Sequence, residues 1–314
     1  MMDLQNPIYT DEDAARAHLE AIRWPDGPFC PHCGEAENVH RLAEGTHRKG
    51  LLYCRSCRKQ FSVTVGTVFE RSHVPLHKWV LATHLLSASK KGMSAHQLHR
   101  MLGVTYKTAW FMAHRIREAM KDETPGPLGG KGKIVEADET FIGPSGYEFK
   151  NDHGWRVKRG HGNKHKVLTL IDREAGQARS MKIENLKAKT VRKVLVQNVD
   201  RKSVLMTDEG LHYETPGKEF SRHYTVQHKK GEYAKGMVTT NTVEGFFSIF
   251  KRGMKGIYQH CGEQHLQRYL AEFDFRYNHR AALGVSDAER AQEALKGIEG
   301  KRLTYRRSNK QATA

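Results

Sequence analysis

Three carboxylates stand where rigid elements would hold them. Asp138 closes the run Ile134-Val135-Glu136-Ala137-Asp138, Asp208 closes Val204-Leu205-Met206-Thr207-Asp208, and Glu244 lies in Asn241-Thr242-Val243-Glu244-Gly245-Phe246-Phe247. Acids so far apart in sequence can share a site only if the fold gathers the ends of several elements, as an α/β sheet does at its strand ends. A carboxylate cage suits two Mg²⁺ ions, or Mn²⁺ in their place, because hard cations prefer oxygen ligands. Two such ions about 4 Å apart can activate a water or 3′-hydroxyl and stabilise the leaving oxygen of an in-line displacement at phosphorus. Lys251 follows Glu244 by about two helical turns, so it lies near the same face and could hold a phosphate beside the metals. Each acid also has a duller reading. Asp138 could be a surface acid beside Glu136 and Glu139, Asp208 a cap for a helix beginning near Glu209, and Glu244 the far end of a capping box begun by Asn241. The three together, in suitable elements and order, favour the metal site.

The elements that must position these acids begin at Lys133. The patterning predicts a strand over 133–138, a glycine-rich basic loop over 143–165, strands over 166–172 and 177–184, and a helix over 187–198. A strand over 203–207, a short helix, a strand over 222–227 and a helix over 241–252 follow. Three early strands and then strand–helix alternation is the element order of the ribonuclease-H-like fold, an α/β class with a mixed five-stranded sheet. In that fold the first strand, the fourth strand and a late helix each present an acid to one metal pair. Downstream, Leu266, Tyr269, Leu270, Phe273 and Tyr277 form one helical stripe, read as core.

Cys30-Pro31-His32-Cys33 and Cys54-Arg55-Ser56-Cys57, 20 residues apart, are two knuckles that can point four thiolates at one tetrahedral Zn²⁺. With all four positions filled by sulfur, such a zinc is structural and not catalytic. A thioredoxin-like redox pair is the rival for either motif alone, but no βαβ pattern surrounds them. The alternating stretch Gln60 to Phe69 reads as a strand completing a small β module.

Beyond Pro75, residues 76–88 suit a helix. Ser94-x-x-Gln97 is a capping-box start, Leu98, Met101 and Leu102 supply a core face, and Gly103 fits a left-handed stop before a second start at Thr105. Ala109, Met112, Ala113, Ile116, Ala119 and Met120 then recur at helical spacing. A short helix, a glycine turn and a longer basic helix make a helix-turn-helix, with Tyr106, Lys107 and Arg115 as candidate DNA contacts. An ordinary helical hairpin has the same pattern; the surrounding charge favours DNA. The breakers Thr124-Pro125-Gly126-Pro127 and Gly129-Gly130 read as a domain boundary.

The 52 Lys and Arg against 35 Asp and Glu give a formal charge of +17, which points to a polyanionic partner, with nucleic acid foremost. Trp155, Arg156, Lys158 and Arg159 in the basic loop could grip phosphates and stack on a base, and Arg252 extends the basic stretch after Lys251. Its bland reading is a helix end whose cations complement the dipole. No apolar run reaches the ~18 residues that cross a bilayer, so no membrane role is expected. The N-terminus lacks a secretory pattern, and paired Cys-x-x-Cys motifs suit a reducing compartment, so the expected location is the cytoplasm, on the nucleoid.

Val135-Glu136-Ala137-Asp138-Glu139-Thr140-Phe141-Ile142-Gly143, Asn241 through Gly253, and His265 through Asn278 resemble the DDE-type insertion-sequence transposases with an N-terminal zinc ribbon and an ISXO-like catalytic domain. The resemblance spans about Tyr9 to Arg280. It implies a bacterial insertion-sequence enzyme with Asp138, Asp208 and Glu244 on Mg²⁺ and Lys251 as basic partner, nicking element ends and then driving 3′-OH attack on target DNA. It further implies double-stranded DNA partners, namely terminal inverted repeats and target, and a homodimer or larger assembly. The implied domains are a zinc ribbon (1–74), a helix-turn-helix segment with linker (75–126), the ribonuclease-H-like domain (127–283) and a basic C-terminal extension (284–314). A zinc-ribbon and helix-turn-helix regulator with an inactive catalytic domain, or a structure-specific nuclease of the same fold, are the rival expectations.

Overall fold

The computed structural model describes residues 5–123, 126–143, 146–151, 153–159, 164–227 and 234–304. Two units divide the chain: Met1–Ser89, Met93–Lys121 and Val285–Ala314 form the first, Lys90–Gly92 and Asp122–Gly284 the second.

In the first unit, helix α1 (Glu12–Arg23) starts at Asp11, whose carboxylate accepts from the Ala14 N–H. Strands β1 (Val39–Arg41), β2 (Leu52–Cys54) and β3 (Lys59–Phe61) make a small antiparallel sheet that carries the cysteine knuckles. The strand expected through Phe69 stops at Phe61. Hydroxyls bend the chain instead: Thr67 Oγ1 donates to the Thr64 carbonyl and accepts from the Phe69 N–H, competing with ladder pairing. Helices α2 (Leu76–Ala88), α3 (Ala95–Leu102) and α4 (Tyr106–Ala119) follow. Ser94 accepts from the Gln97 N–H, Gly103 turns left-handed at φ 60°, and Thr105 accepts from the Thr108 N–H, which together build the helix-turn-helix.

The second unit holds a five-stranded sheet. Its strands are β4 (Ile134–Ile142), β7 (His165–Asp172), β8 (Gln177–Ile183), β9 (Val204–Thr207) and β10 (Arg222–Thr225), in the order β10-β9-β4-β7-β8. The β4, β9 and β10 pairs run parallel; β7 and β8 are antiparallel. This is the mixed ribonuclease-H-like arrangement, with the Asp138 strand at its centre. Helices α5 (Ala188–Asn198) and α6 (Leu211–Gly217) cover one face through Val191, Leu195 and Tyr213. Helices α7 (Asn241–Gly253) and α8 (Leu266–Asn278) cover the other through Phe246, Phe250, Leu270 and Phe273. Alternation along β4 sends Val135 and Ala137 to the α5/α6 core, which leaves Glu136 and Asp138 facing α7.

The basic stretch expected as a loop over 143–165 contains a hairpin, β5 (Gly146–Asn151) and β6 (Gly154–Arg159), paired antiparallel outside the main sheet. The period-2 pattern was present in Tyr147 and Phe149 and in Trp155 and Val157, under the basic composition. A short pair, β11 (Ala234–Lys235) and β12 (Val238–Thr239), precedes α7. The expected basic C-terminal extension instead contributes helix α9 (Asp287–Lys296) to the first unit, begun by a Ser286/Glu289 capping box.

Candidate active site

Parallel pairing puts two of the acids side by side. Glu136 pairs with Met206 across β4 and β9, so Asp138, in the middle of β4, and Asp208, just past the end of β9, stand at the same offset beyond that pair. Burial and nearby like charges act on both. Burial first, then the charges of Glu139, Asp208 and Glu244, push the Asp138 carboxyl up to about 7, although the Glu139 N–H donates to its Oδ1 at 2.7 Å. Burial also raises Asp208, against the opposing effect of the Gly210 N–H, which donates to its Oδ1 at 3.0 Å. Asp208 is therefore bonded beside the start of α6, but Gly210 is the cap residue there.

Glu244 is placed from the sheet, and the capping-box reading does not describe it. The cap residue of α7 is Thr240, whose hydroxyl donates to Glu244 Oε1 at 3.1 Å. The helix start is bonded instead by Glu136, wholly buried on the α7-facing side of β4. Its carboxylate accepts from the Val243 N–H at 2.9 Å and the Thr242 hydroxyl at 2.7 Å. A negative charge at a helix N-terminus is favourable there. Arg173 neutralises it, donating to Glu136 Oε1 through Nε at 2.9 Å and Nη2 at 2.7 Å. The same guanidinium donates to the Met237 and Thr239 carbonyls, both at 3.0 Å, so it pins the β11–β12 turn as well. Glu136, two residues before Asp138, thus docks the helix that brings Glu244.

Glu139, on the opposite face of β4, accepts from the Tyr213 hydroxyl at 2.8 Å and bonds His212 Nε2 at 3.1 Å. Burial opposes its charge, but the His212 bond and charge and the Tyr213 hydroxyl outweigh it, and its carboxyl is held below the usual range. His212 rises in turn, because the Glu139 bond and charge overcome its burial. Sequence reasoning missed Arg173, His212 and Tyr213 and treated Glu136 and Glu139 as surface acids. Only the phase of β4 could have flagged Glu136, since a charged residue at a buried position must find a partner.

Lys251 is exposed on α7, its ammonium 5.9 Å from the Phe247 ring centroid, and Arg252 donates to Ser248 Oγ at 2.7 Å. Tyr106 and Lys107 are exposed in the first turn of α4, with Tyr106 stacked on His96 at 4.3 Å between centroids. Arg115 is a correction. It is buried, and its guanidinium donates to the Glu70 carbonyl at 3.0 Å and the Leu303 carbonyl at 3.3 Å, so it faces its own unit and not DNA. Trp155, Arg156, Lys158 and Arg159 fall on β6, and their side chains lie outside the described residues.

The cysteines fit a zinc ion. Cys30 Sγ lies 3.6 Å from Cys57 Sγ and Cys33 Sγ 3.7 Å from Cys54 Sγ, near the ~3.8 Å edge of a tetrahedron with 2.3 Å Zn–S bonds. Among the described residues they are the one group of three or more such ligands within 4.8 Å of one another. Asp138, Asp208 and Glu244 do not form such a close group. Their all-oxygen, mutually repelling donor set fits hard divalent cations. No helix of the described residues is long and apolar enough to cross a membrane.

Residues 127–278 match the ISXO2-like transposase domain family and residues 10–60 the transposase zinc-ribbon domain family. The chain is 30% identical over 279 residues to an uncharacterized protein in transposable element ISH50 of Halobacterium salinarum, covering 85% of this chain and 91% of that one. Among solved structures it is similar to the catalytic core domain of BIV integrase, with TM-score 0.28, 16% identity, and 44% of this chain and 80% of that one covered. It is also similar to the Drosophila P element transposase in a strand transfer complex, with TM-score 0.27, 9% identity, and 69% and 62% covered.

Proposed function

The chain belongs to the insertion-sequence transposases that carry a zinc ribbon ahead of an ISXO2-like domain, and on that premise we propose that it cuts element-end DNA and joins the freed 3′-OH to target DNA with Asp138, Asp208 and Glu244 as the metal-holding acids. The observation that carries this reading is geometric: the parallel β4–β9 register sets Asp138 and Asp208 side by side, and Glu136, two residues before Asp138, bonds the start of the helix that carries Glu244. Two Mg²⁺ or Mn²⁺ ions bound by these carboxylates would supply Lewis acidity and an activated oxygen nucleophile. The protein's own part is positional. Glu136 and Arg173 dock the Glu244 helix, the Tyr213 and His212 bonds hold Glu139 to one side, and Lys251 offers a cation to a phosphate oxygen. Four thiolates hold a structural zinc in the ribbon, with no position left for catalysis. We assign DNA contact to Tyr106 and Lys107 at the start of α4, and to the basic β5–β6 hairpin, with a homodimer or larger assembly working on the two element ends.

Linear element-end DNA incubated with and without Mg²⁺ tests this reading. Asp138→Asn, Asp208→Asn and Glu244→Gln should each lower cleavage by on the order of 10³-fold while DNA affinity changes only a few-fold. A variant that cleaves at the parent rate would overturn the assignment of that acid. Joining of a pre-cut 3′ end to a second duplex separates a transposase from a nuclease of the same fold, which would cut and not join.

A further inference from the structure

Within the second unit lies a cleft of about 780 Å³. Glu139, next in chain to Asp138, and Lys251, on the helix that carries Glu244, both line it. Lys164 and Lys255 continue a cationic rim, whereas Phe141, Ile142 and Met254 give an apolar lining. The wall is preformed. Met254–Tyr258 is a π-helical turn, and Gln259 after it is left-handed at φ 57°. The Tyr258 hydroxyl donates to buried Glu272 at 2.5 Å, and Arg276 pairs with the same carboxylate.

We propose that this cleft seats one or two unpaired nucleotides adjoining the scissile phosphate, so that the protein works on a locally melted DNA end; the proposal rests on the transposase reading of the three acids. The volume is that of a small-ligand pocket, ~300–1,000 Å³, and a duplex is far larger. The lining points the same way. A paired duplex hides its base faces in its own stack and has little for an apolar wall to hold, whereas an unstacked base offers its face to Phe141 and its phosphates to the lysines. The negative charge of Glu139 in the cleft is offset by the His212 and Tyr213 bonds, so it does not cancel the rim.

Cys261 lines the cleft, is in no disulfide, and reports on occupancy. The zinc-loaded full chain is incubated without Mg²⁺ with a duplex bearing a three-nucleotide single-stranded tail and a thiol tether on a tail base. A blunt duplex with the tether on its terminal pair runs in parallel. We expect roughly tenfold more mixed disulfide with the tailed DNA. Cys261→Ser should abolish it, and Lys164→Glu with Lys255→Glu should reduce it about tenfold at unchanged Tm. Equal yields from tailed and blunt DNA, or yields indifferent to the lysine substitutions at unchanged Tm, would overturn the proposal. So would blockade by micromolar free mononucleotide, which would make the cleft a nucleotide effector site. Nicking in Mg²⁺ is scored separately: nicking without tail preference sinks the cleft alone, and tail preference without nicking sinks the catalytic reading alone.

Discussion

Buried carboxylates in the second unit differ by what neutralises them. Glu136 has Arg173 and Glu272 has Arg276, whereas Asp274 of α8 accepts from the Ser180 N–H at 2.7 Å and the Ser180 hydroxyl at 2.6 Å. Burial therefore dominates at Asp274 and pushes it up to about 7, against the smaller lowering from Ser180 and the Arg179 charge. A folded carboxyl raised above its ordinary 3.8 takes up a proton on folding. Its stabilising contribution is whole below pH 3.8, is lost as pH rises through 7, and is absent above that. Asp274→Asn keeps both an acceptor and a polar partner for Ser180 but cannot titrate. Between pH 5 and pH 8 the parent should lose stability more steeply than this variant, by on the order of 1 kcal/mol per pH unit at most. Melting curves across that range check it, and parallel slopes would dismiss it. The sequence gives no hint of this difference, because Asp274 reads as one more polar residue of an amphipathic helix until the edge strand β8 is laid against it. Asp208 was legible for the opposite reason: it ends an apolar run just past β9, whereas the strand expected to close at Asp138 runs on to Ile142 and leaves that acid at its middle.

Elements whose ends are set by local chemistry were also legible. The Ser94 and Thr105 starts and the Gly103 stop all lie where short-range capping places them, Leu76–Ala88 begins just after Pro75, and strands β4, β7 and β9 follow their apolar runs. Helix α7 is different, because its N-terminus is completed by Glu136 from more than a hundred residues away, and a local pattern such as Asn241-x-x-Glu244 cannot report that. The β5–β6 hairpin was hidden under basic composition, and the hydroxyl-rich turns after Phe61 under strand-like alternation. The Glu136 bond makes a prediction at this scale. Glu136→Ala leaves the Arg173 guanidinium and the first turn of α7 without their acceptor, and should cost about 3–5 kcal/mol. Glu136→Gln keeps an acceptor for the Val243 N–H and should cost less. Yet Glu136→Gln should raise the Mg²⁺ concentration for half-maximal nicking about tenfold, since a loosely docked α7 misplaces Glu244 by fractions of an ångström. Metal titrations of nicking beside thermal melts separate the two effects; a Glu136→Gln protein with parental Mg²⁺ dependence would leave the clamp a structural feature only.

At the scale of the molecule, the chain leaves its first unit at Lys121 and returns to it at Val285, so both ends of the sequence build that unit and the second unit is inserted between them. A basic stretch after α8 reads from composition as an extension, yet α9 packs against α1, α2 and α4. Ala291, Ala294, Leu295 and Ile298 are buried, and Arg290 donates to the Ser87 carbonyl at 3.1 Å. Beyond α9, the Val68 N–H donates to the Ile298 carbonyl at 3.0 Å and the Gly300 N–H to the Gly66 carbonyl at 2.9 Å. Glu299 pairs with Arg23 at 3.0 Å, and that guanidinium also donates to the Val63 and Val65 carbonyls at 2.8 Å. The return segment therefore stitches α1 to the turns that follow the ribbon. Removing Val285–Ala314 would expose the face of α2 that it covers. Leu295 and Ile298 at roughly 1.5–3 kcal/mol each, with the two alanine methyls at about 0.8 kcal/mol each, amount to a large part of the ~5–15 kcal/mol that holds a domain folded. A chain ending at Gly284 should show the first unit unfolded or aggregating, with its zinc content lost, while the second unit keeps its own melting transition, because its sheet and both helical layers lie within Asp122–Gly284. Calorimetry, zinc per chain and limited proteolysis measure this. A truncated protein that retains one zinc and protease-resistant α2 and α4 would show that the segment is an appendage and that the first unit folds without it.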